Sequence, residues 1–469
     1  MKKVALHNLG CKVNAYEVDM MQQSLVEKGY EIVPFDQKAD VYIVNTCTVT
    51  NIADRKSRQM LHRAKQQNPE AVVVAVGCYV QTGQKTLETD ASVDLAVGNN
   101  RKKDIAEILD RFLAERSAGG GAELICYDGK TLNGETVLDI NHTYEYEEMQ
   151  VKQTAEHTRA YIKIQDGCNQ FCTYCAIPYA RGRVRSRKAQ DVLQEIRGMV
   201  EAGFREVVLT GIHISSYGID FDPERWKAGE SVELGTADRP EYSGESRLID
   251  LVEQIACIPG LHRIRLGSLE PRIVTDETAR RLAAIEQVCP HFHLSLQSGC
   301  DATLKRMNRK YTAEEYLRSV EALRLAFDHP AITTDVIVGF PGETEEEFET
   351  TKAFLEKVGF YEMHIFKYSK RTGTIAAGMK DQVPEQVKTA RSSVLLELEK
   401  QQSEAFRRRY IGREAEVLLE EKVTIKGQEM YVGHTGDYVK VAVPAGEGMC
   451  ENSIVKVKIR CFLTEDILM

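Results

Sequence analysis

Asp166-Gly167-Cys168-Asn169-Gln170-Phe171-Cys172-Thr173-Tyr174-Cys175 is the stretch that decides how this chain is read. It follows a strand-like run at 161–165 and opens a series of alternating strand and helix patterns. Its C-x3-C-x2-C spacing therefore falls on a loop beyond the C-terminal end of a strand, where open α/β sheets bind ligands. Three thiolates are one ligand short of a closed zinc or iron–sulfur site. A [4Fe–4S] cube held this way keeps one iron free for an exogenous group, which points to chemistry rather than scaffolding. A second trio is dispersed. Cys11, Cys47 and Cys78 each follow an apolar strand-like segment, at 4–9, 41–45 and 71–76. The last is apolar throughout, as a parallel strand covered on both faces should be. Residues so far apart converge at one sheet edge, and ligation explains all three better than three unrelated structural cysteines.

The rest of the chain builds outward from these sites. Its 469 residues, 43% hydrophobic and 28% charged, leave room for about three globular domains. No run approaches the roughly 18 apolar residues of a membrane span, and the apolar stretch at 4–6 is too short for a signal segment. The expectation is a cytoplasmic protein with reduced thiols and no membrane. A net charge of −9 argues against a generally basic nucleic-acid binder, so a polyanion must be held locally. Candidate patches are Arg181, Arg183, Arg185, Arg187 and Lys188; Arg306, Arg309 and Lys310; and Arg407, Arg408 and Arg409. Cys126, Cys257, Cys289, Cys300, Cys450 and Cys461 have no ligand spacing and are read as small buried hydrophobes.

The fold class is α/β in three parts. Residues 1–112 form an open parallel α/β domain, with helices at 13–28 and 52–67. A linker at 113–158 contains Gly119-Gly120-Gly121. Residues 159–383 carry six strands, at 161–165, 206–210, 263–268, 292–296, 333–338 and 362–366. Helices between them end in a run at 345–358, and six units imply a (βα)6 partial barrel. Residues 217–247, with the sole tryptophan Trp226, read as an insert. A connecting helix at 384–409 leads to short alternating strands at 415–420, 429–434, 438–443 and 454–460, a small all-β barrel of the oligonucleotide-binding kind over 410–469. That module is neutral, with 11 Lys and Arg against 11 Asp and Glu across 400–469.

The cysteine run and the barrel pattern resemble the radical S-adenosylmethionine (SAM) superfamily. The resemblance implies that Cys168, Cys172 and Cys175 carry a catalytic [4Fe–4S] cluster, that SAM occupies its open iron, and that one electron generates a 5′-deoxyadenosyl radical. It places Tyr174, Thr210, Gly211, Glu270, Gln297, Gly339 and Gly342 at the SAM pocket. Leu9-Gly10-Cys11-Lys12-Val13-Asn14, Asn45-Thr46-Cys47-Thr48-Val49-Thr50 and Gly77-Cys78 narrow it to the methylthiotransferases, whose terminal β-domain is of the TRAM type. In that family Cys11, Cys47 and Cys78 would hold an auxiliary [4Fe–4S] cluster that handles sulfur. Gly10-Cys11-Lys12-Val13-Asn14 and Ala176-Ile177-Pro178-Tyr179-Ala180-Arg181-Gly182 are most similar to the branch modifying N6-threonylcarbamoyladenosine 37 of tRNA. Alternatives are the branches acting on isopentenyladenosine 37 or on an aspartate of a ribosomal protein. A further alternative is a zinc-containing RNA-binding protein without catalysis. The implied partners are a tRNA anticodon loop, met by Arg181, Arg183 and Arg185, and a flavodoxin or ferredoxin electron donor, with the chain acting as a monomer.

Overall fold

The structure is a computed structural model that describes residues 2–87, 89–118, 136–151, 158–221 and 246–469. Gly119-Gly120-Gly121, Cys126 and most of the 217–247 stretch with Trp226 lie outside the described residues. At the N-terminus, strands Lys3–Asn8, Val41–Thr46 and Val72–Gly77 pair in parallel. The short strands Glu31–Ile32 and Leu95–Val97 extend the sheet at either edge. All six residues of Val41–Thr46 and of Val72–Gly77 are buried, because helices cover both faces. Helix Lys12–Glu27 starts directly after Cys11, and helix Asn51–Gln67 is capped by Thr50 accepting from the Ala53 amide. The final helix of this part, Ile105–Ser117, runs five residues past the expected boundary.

Six parallel strands form the central part as two three-stranded sheets: Ala160–Lys163, Glu206–Thr210 and Arg263–Leu266, then His291–His293, Ala331–Val338 and Glu362–Lys367. Bridges Ile264↔Val288 and Leu269↔Leu294 join the two into a partial barrel. Three of its helices open on capping boxes, with Thr275, Thr312 and Thr344 as N-caps. Helices Arg247–Ala256 and Asp301–Arg306 were not anticipated from sequence. Side chains alternate across the barrel wall. Ile264, Phe292, Leu294, Ile332, Val336 and Met363 belong to the main core under the helices, so their sequence neighbours face the interior.

Helix Glu385–Arg408 leads to a four-stranded antiparallel sheet, in the order Lys440–Pro444, Gln428–His434, Glu414–Ile425 and Ile454–Lys458. This β-domain closes one end of the barrel. Arg263 donates to the His434 and Glu416 carbonyls at 3.0 and 2.8 Å, and Arg265 donates to the Gly436 carbonyl at 2.9 Å. Tyr438 stacks between His291 and His434, with ring centroids 4.9 and 4.5 Å away. Of the cysteines outside the two trios, Cys289 and Cys300 are buried as expected. Cys257, Cys450 and Cys461 are exposed, which corrects the sequence reading: they lie at a helix end and on β-domain turns.

Asp437 lies in the same docking loop, its carboxylate bonded to the Tyr410 hydroxyl. Burial pushes its carboxyl up to about 6. A carboxyl raised in the fold holds its proton while the unfolded chain ionises, so stability should fall as pH rises from about 4 to 6 and then level off. Allowing for its partial exposure, the expected loss is about 1–2 kcal/mol. Melting temperatures across that pH range should show the slope in the wild type and a flatter one in Asp437→Asn.

Candidate functional site

Both cysteine trios assemble. Cys11, Cys47 and Cys78 follow three adjacent parallel strands, which brings their loops side by side. Asn14 ties two of these loops together, its Nδ2 donating to the Leu9 carbonyl at 2.6 Å and the Thr46 carbonyl at 3.2 Å. Gly10, with φ of 113°, lets the first loop pass so close that a Cβ there would stand 3.1 Å from the Cys47 Sγ. Asn99 Nδ2 reaches the Cys78 Sγ at 3.6 Å. Cys47 and Cys78 are buried, and Cys11 opens to solvent.

The local trio occupies the loop after strand Ala160–Lys163, beyond the bridging pair Gln165–Asp166. Gly167, with φ of 71°, makes the turn, and a side chain there would overlap the Arg183 carbonyl and stand 2.8 Å from the Gly182 carbonyl oxygen. Both are backbone atoms that cannot swing aside. Gly167→Ala is therefore expected to prevent the loop from closing, cutting iron retained at this site at least tenfold. Iron analysis and circular dichroism of the purified variant would separate loss of the site from loss of the fold. Gln165 Nε2 donates to the Asp166 and Gly167 carbonyls at 2.7 Å each, and the Cys168 amide donates to the Gly182 carbonyl at 3.0 Å.

Each trio has one arginine against a sulfur. Arg309 places Nη1 3.3 Å from the Cys172 Sγ and Nη2 3.2 Å from the Ser295 carbonyl. Arg181 places Nε 3.2 Å from the Cys78 Sγ. The remaining donors of Arg181 reach Glu17 at 2.8 Å, Asp166 at 3.1 Å and Asn14 at 2.7 Å. Lys163 bonds Glu17 at 2.8 Å and Asp166 at 2.7 Å, and Lys102 completes the set against Glu17. Every member of this network is buried. Although burial opposes ionisation, the surrounding cations hold the Glu17 and Asp166 carboxyls below the usual range. A second bridge runs through Arg371, which bonds Thr48 and pairs with Asp54 at 3.0 Å. Five residues on, the Ala376 amide donates to the Thr173 carbonyl at 2.8 Å. The two trios thus share one mechanically linked region.

Arg181 and Arg185 depart from the expected substrate contact. Both are fully buried, Arg181 within the ion network and Arg185 near Asp166, because strand Arg185–Ser186 pairs back onto Gln165–Asp166. Arg183 is partly exposed, its guanidinium 4.6 Å above the Phe171 ring. At the expected SAM pocket, Thr210 ends its strand and Gly211 abuts Gln165 so closely that a Cβ would stand 3.0 Å from its Oε1. Glu270 is buried, with Oε1 on Arg272 and Oε2 without a partner among the described residues. Gln297 adopts a φ of 73°. Tyr174 packs edge-on to Phe340 at 6.2 Å. The glycines at 339 and 342 answer to neighbours within the protein: a side chain on the first would strike Lys388, and one on the second would meet Arg306. Sequence reasoning gave Arg309 only as part of a basic patch and Asn14 only as part of a motif, and it missed Arg371 and Asn99. Their only signal is spatial.

The donor chemistry fits iron–sulfur clusters. Burial, with the neighbouring thiols adding to it, pushes Cys47 up to about 11 and Cys175 up to about 12. Without metal these thiols stay protonated near neutrality, so a cationic metal must displace the protons, as soft thiolate sites require. Three donors per site leave one metal position open in each. The buried, unpartnered Glu270 oxygen is a ready acceptor for a polar cofactor.

An α/β sheet with a dispersed trio, joined to a partial barrel with a C-x3-C-x2-C loop, defines a radical SAM enzyme. The Radical SAM superfamily profile matches residues 162–355, and that of Uncharacterized protein family UPF0004 matches residues 3–98. Threonylcarbamoyladenosine tRNA methylthiotransferase MtaB of Bacillus subtilis is 41% identical over 98% of this chain and 94% of its own length. The Aquifex aeolicus protein of the same name is 38% identical, over 90% and 93%. The tRNA-2-methylthio-N(6)-dimethylallyladenosine synthase of Carboxydothermus hydrogenoformans is 35% identical, over 96% and 94%. The radical SAM methyltransferase TsrM of Kitasatospora setae, 15% identical, superposes with a TM-score of 0.53 over 78% of this chain and 73% of that one, a likeness of fold alone. The chain belongs to the methylthiotransferase family of radical SAM enzymes, which use SAM and two [4Fe–4S] clusters to transfer a methylthio group. No helix among the described residues is long and apolar enough to cross a membrane.

Proposed function

We propose that this chain inserts a methylthio group at C2 of N6-threonylcarbamoyladenosine 37 in tRNA, giving 2-methylthio-N6-threonylcarbamoyladenosine. The observation that carries the reading is near-full-length similarity, at 35–41% identity, to four proteins of that named activity. It is supported by a fold that links two three-cysteine sites. Cys168, Cys172 and Cys175 hold the cluster that binds SAM, and Cys11, Cys47 and Cys78 hold the auxiliary one. The bound groups supply radical abstraction and sulfur, which an aromatic C–H demands because no side-chain base removes its proton near neutral pH.

The chain's own residues supply orientation. Arg309 and Arg181 neutralise and aim one thiolate in each trio. The free Glu270 oxygen, with Thr210, Gly211 and Gln297, offers polar contacts to SAM. Tyr174, braced on Phe340, walls the pocket from water. Arg183, partly exposed beside the cysteine loop, meets an anticodon-loop phosphate. The protein works in the cytoplasm as a monomer and receives its electron from a flavodoxin or ferredoxin.

Mass spectrometry of tRNA nucleosides from strains with and without the gene tests this. The expected result is loss of the methylthio nucleoside, with its threonylcarbamoyl precursor accumulating. Unchanged tRNA nucleosides alongside a ribosomal protein lacking its methylthio group would sink the assignment. Loss of the methylthio form of the dimethylallyl nucleoside instead would move it to the other tRNA branch.

A further inference from the structure

The inner wall of the barrel carries a donor set that neither cysteine trio uses. His293, Asp335 and His364 stand on three adjacent parallel strands. In register, His293 faces Thr333 and His364 faces Asp335, and these two partners lie two residues apart on the middle strand. Two-residue steps keep to one face of a sheet. The flanking residues Phe292, Leu294, Ile332, Val336 and Met363 point into the helix-covered core, so His293, Thr333, Asp335 and His364 share the inner face. The His364 ring lies nearly parallel to that of His293, with centroids 6.0 Å apart and an interplanar angle of 25°. One nitrogen from each imidazole and one oxygen of the carboxylate all lie within 4.8 Å of one another. Ile337, the next residue on this face after Asp335, packs with Tyr174 of the cysteine loop against Met307, Phe340 and Tyr368. The donor set therefore sits one step along the wall from the radical SAM loop.

The distances decide what these groups are arranged to hold. His293 Nδ1 stands 3.1 Å from the Thr333 Oγ1, and its Nε2 stands 3.3 Å from the Asp335 Oδ2. A charge-assisted N–H···O bond closes to about 2.7–2.9 Å, so the second contact is long for a histidine–aspartate pair. It matches two ligands of one ion instead. Donors about 2.0–2.1 Å from a tetrahedral zinc stand about 3.3 Å apart, whereas octahedral neighbours on the same bonds would stand about 2.9 Å apart. Thr333 supplies what the second nitrogen of a ligand histidine needs. Its hydroxyl oxygen accepts from Nδ1–H, which fixes the tautomer and leaves the Nε2 lone pair for a metal. Among the described residues no lysine or arginine pairs with Asp335, whose one ion pair is with His293. His293 and Asp335 are half-buried, and His364 is exposed, which gives an ion a way in.

We propose that His293, Asp335 and His364 bind one divalent zinc ion on the inner wall of the barrel, as a third metal site separate from the two iron–sulfur sites. Two imidazoles and a carboxylate suit zinc, and no thiolate is at hand to favour a cluster. Three protein ligands leave the fourth position of the tetrahedron facing the cavity. Water, or an oxygen of a molecule entering the barrel, fills it, as in zinc sites that exchange ligands. The site stands on the barrel geometry alone and is independent of which nucleoside the enzyme modifies.

The test uses reconstituted holoenzyme carrying both clusters, so that zinc cannot lodge in the cysteine trios. After anaerobic incubation with zinc sulfate and desalting, the wild type should retain about one zinc per chain in addition to its cluster iron. Zinc-edge X-ray absorption should show nitrogen and oxygen ligands at about 2.0–2.1 Å with imidazole scattering, and no sulfur at about 2.3 Å. His293→Gln and His364→Ala should each weaken zinc binding about tenfold or more, with iron content and circular dichroism as in the wild type. His364 is exposed, so its variant decides the matter even if His293→Gln does not fold. Wild-type enzyme that retains no zinc above background, zinc held equally well by the His364 variant, or a sulfur ligand in the zinc shell would each overturn the site.

Discussion

Cys172→Ala is expected to abolish SAM cleavage, whereas Cys47→Ala should leave cleavage within about twofold of wild type and stop methylthio insertion. Each variant should retain about four of eight irons. The asymmetry follows from what each sulfur touches. Cys172 is the thiol held by Arg309, and its loss removes both a ligand and the partner of a partly buried guanidinium. Cys47 is bounded by its own domain, its amide and carbonyl both engaged by Ser57, so its removal is felt locally. Cys78→Ala should fall between the two. The Arg181 that donates to Cys78 also holds Asp166, two residues before Cys168, and a guanidinium left unsatisfied would disturb the other trio. Anaerobic assays of 5′-deoxyadenosine and methylthio product, alongside iron analysis, would check the order. Equal loss of cleavage in the Cys47 and Cys172 variants would contradict the division of labour between the trios.

The six cysteines were legible for two different reasons. The local trio has short-range spacing that survives without any fold. The dispersed trio became legible once three apolar runs were read as parallel strands, since strand ends define an edge. Strands Glu31–Ile32 and Leu95–Val97 were too short to display a period. The arginines at 181, 183 and 185 read as a basic surface because alternating charge usually is one. Arg183 does stay partly exposed, but Arg181 is buried against Glu17 and Asp166 and Arg185 near Asp166, and no local pattern announces those partnerships. The same holds for His364 on strand Glu362–Lys367. Which way a barrel strand faces is decided only when the sheet closes around it, so a histidine on a strand reads as an ordinary core or surface residue until then.

The buried ion network gives the largest expected change in stability, and its sign depends on which charge is removed. Glu17 accepts from Lys102, Lys163 and Arg181, and all four side chains are buried. Glu17→Gln leaves the buried cations Lys102, Lys163, Arg181 and Arg185 around the single carboxylate of Asp166. Removing one partner of a buried ion pair costs about 3–5 kcal/mol, because the orphaned charge stays out of water. The lysines would shed their protons to escape that cost, their pKa falling through desolvation. Arg181→Met is a gentler insult electrostatically. It leaves two carboxylates with two lysines and Arg185, so the excess of buried positive charge shrinks while the contact to the Cys78 sulfur and the link to Asp166 disappear. Denaturant midpoints should therefore drop further for Glu17→Gln than for Arg181→Met, whereas auxiliary-site iron should be weakened more by Arg181→Met. Adding Lys102→Met to Glu17→Gln should recover part of the stability by restoring the charge balance, an interaction a double-mutant cycle measures directly. If the double variant were instead destabilised by the sum of the two single losses, these side chains would act as independent packing units rather than as a charge-balanced core joining the N-terminal sheet to the barrel.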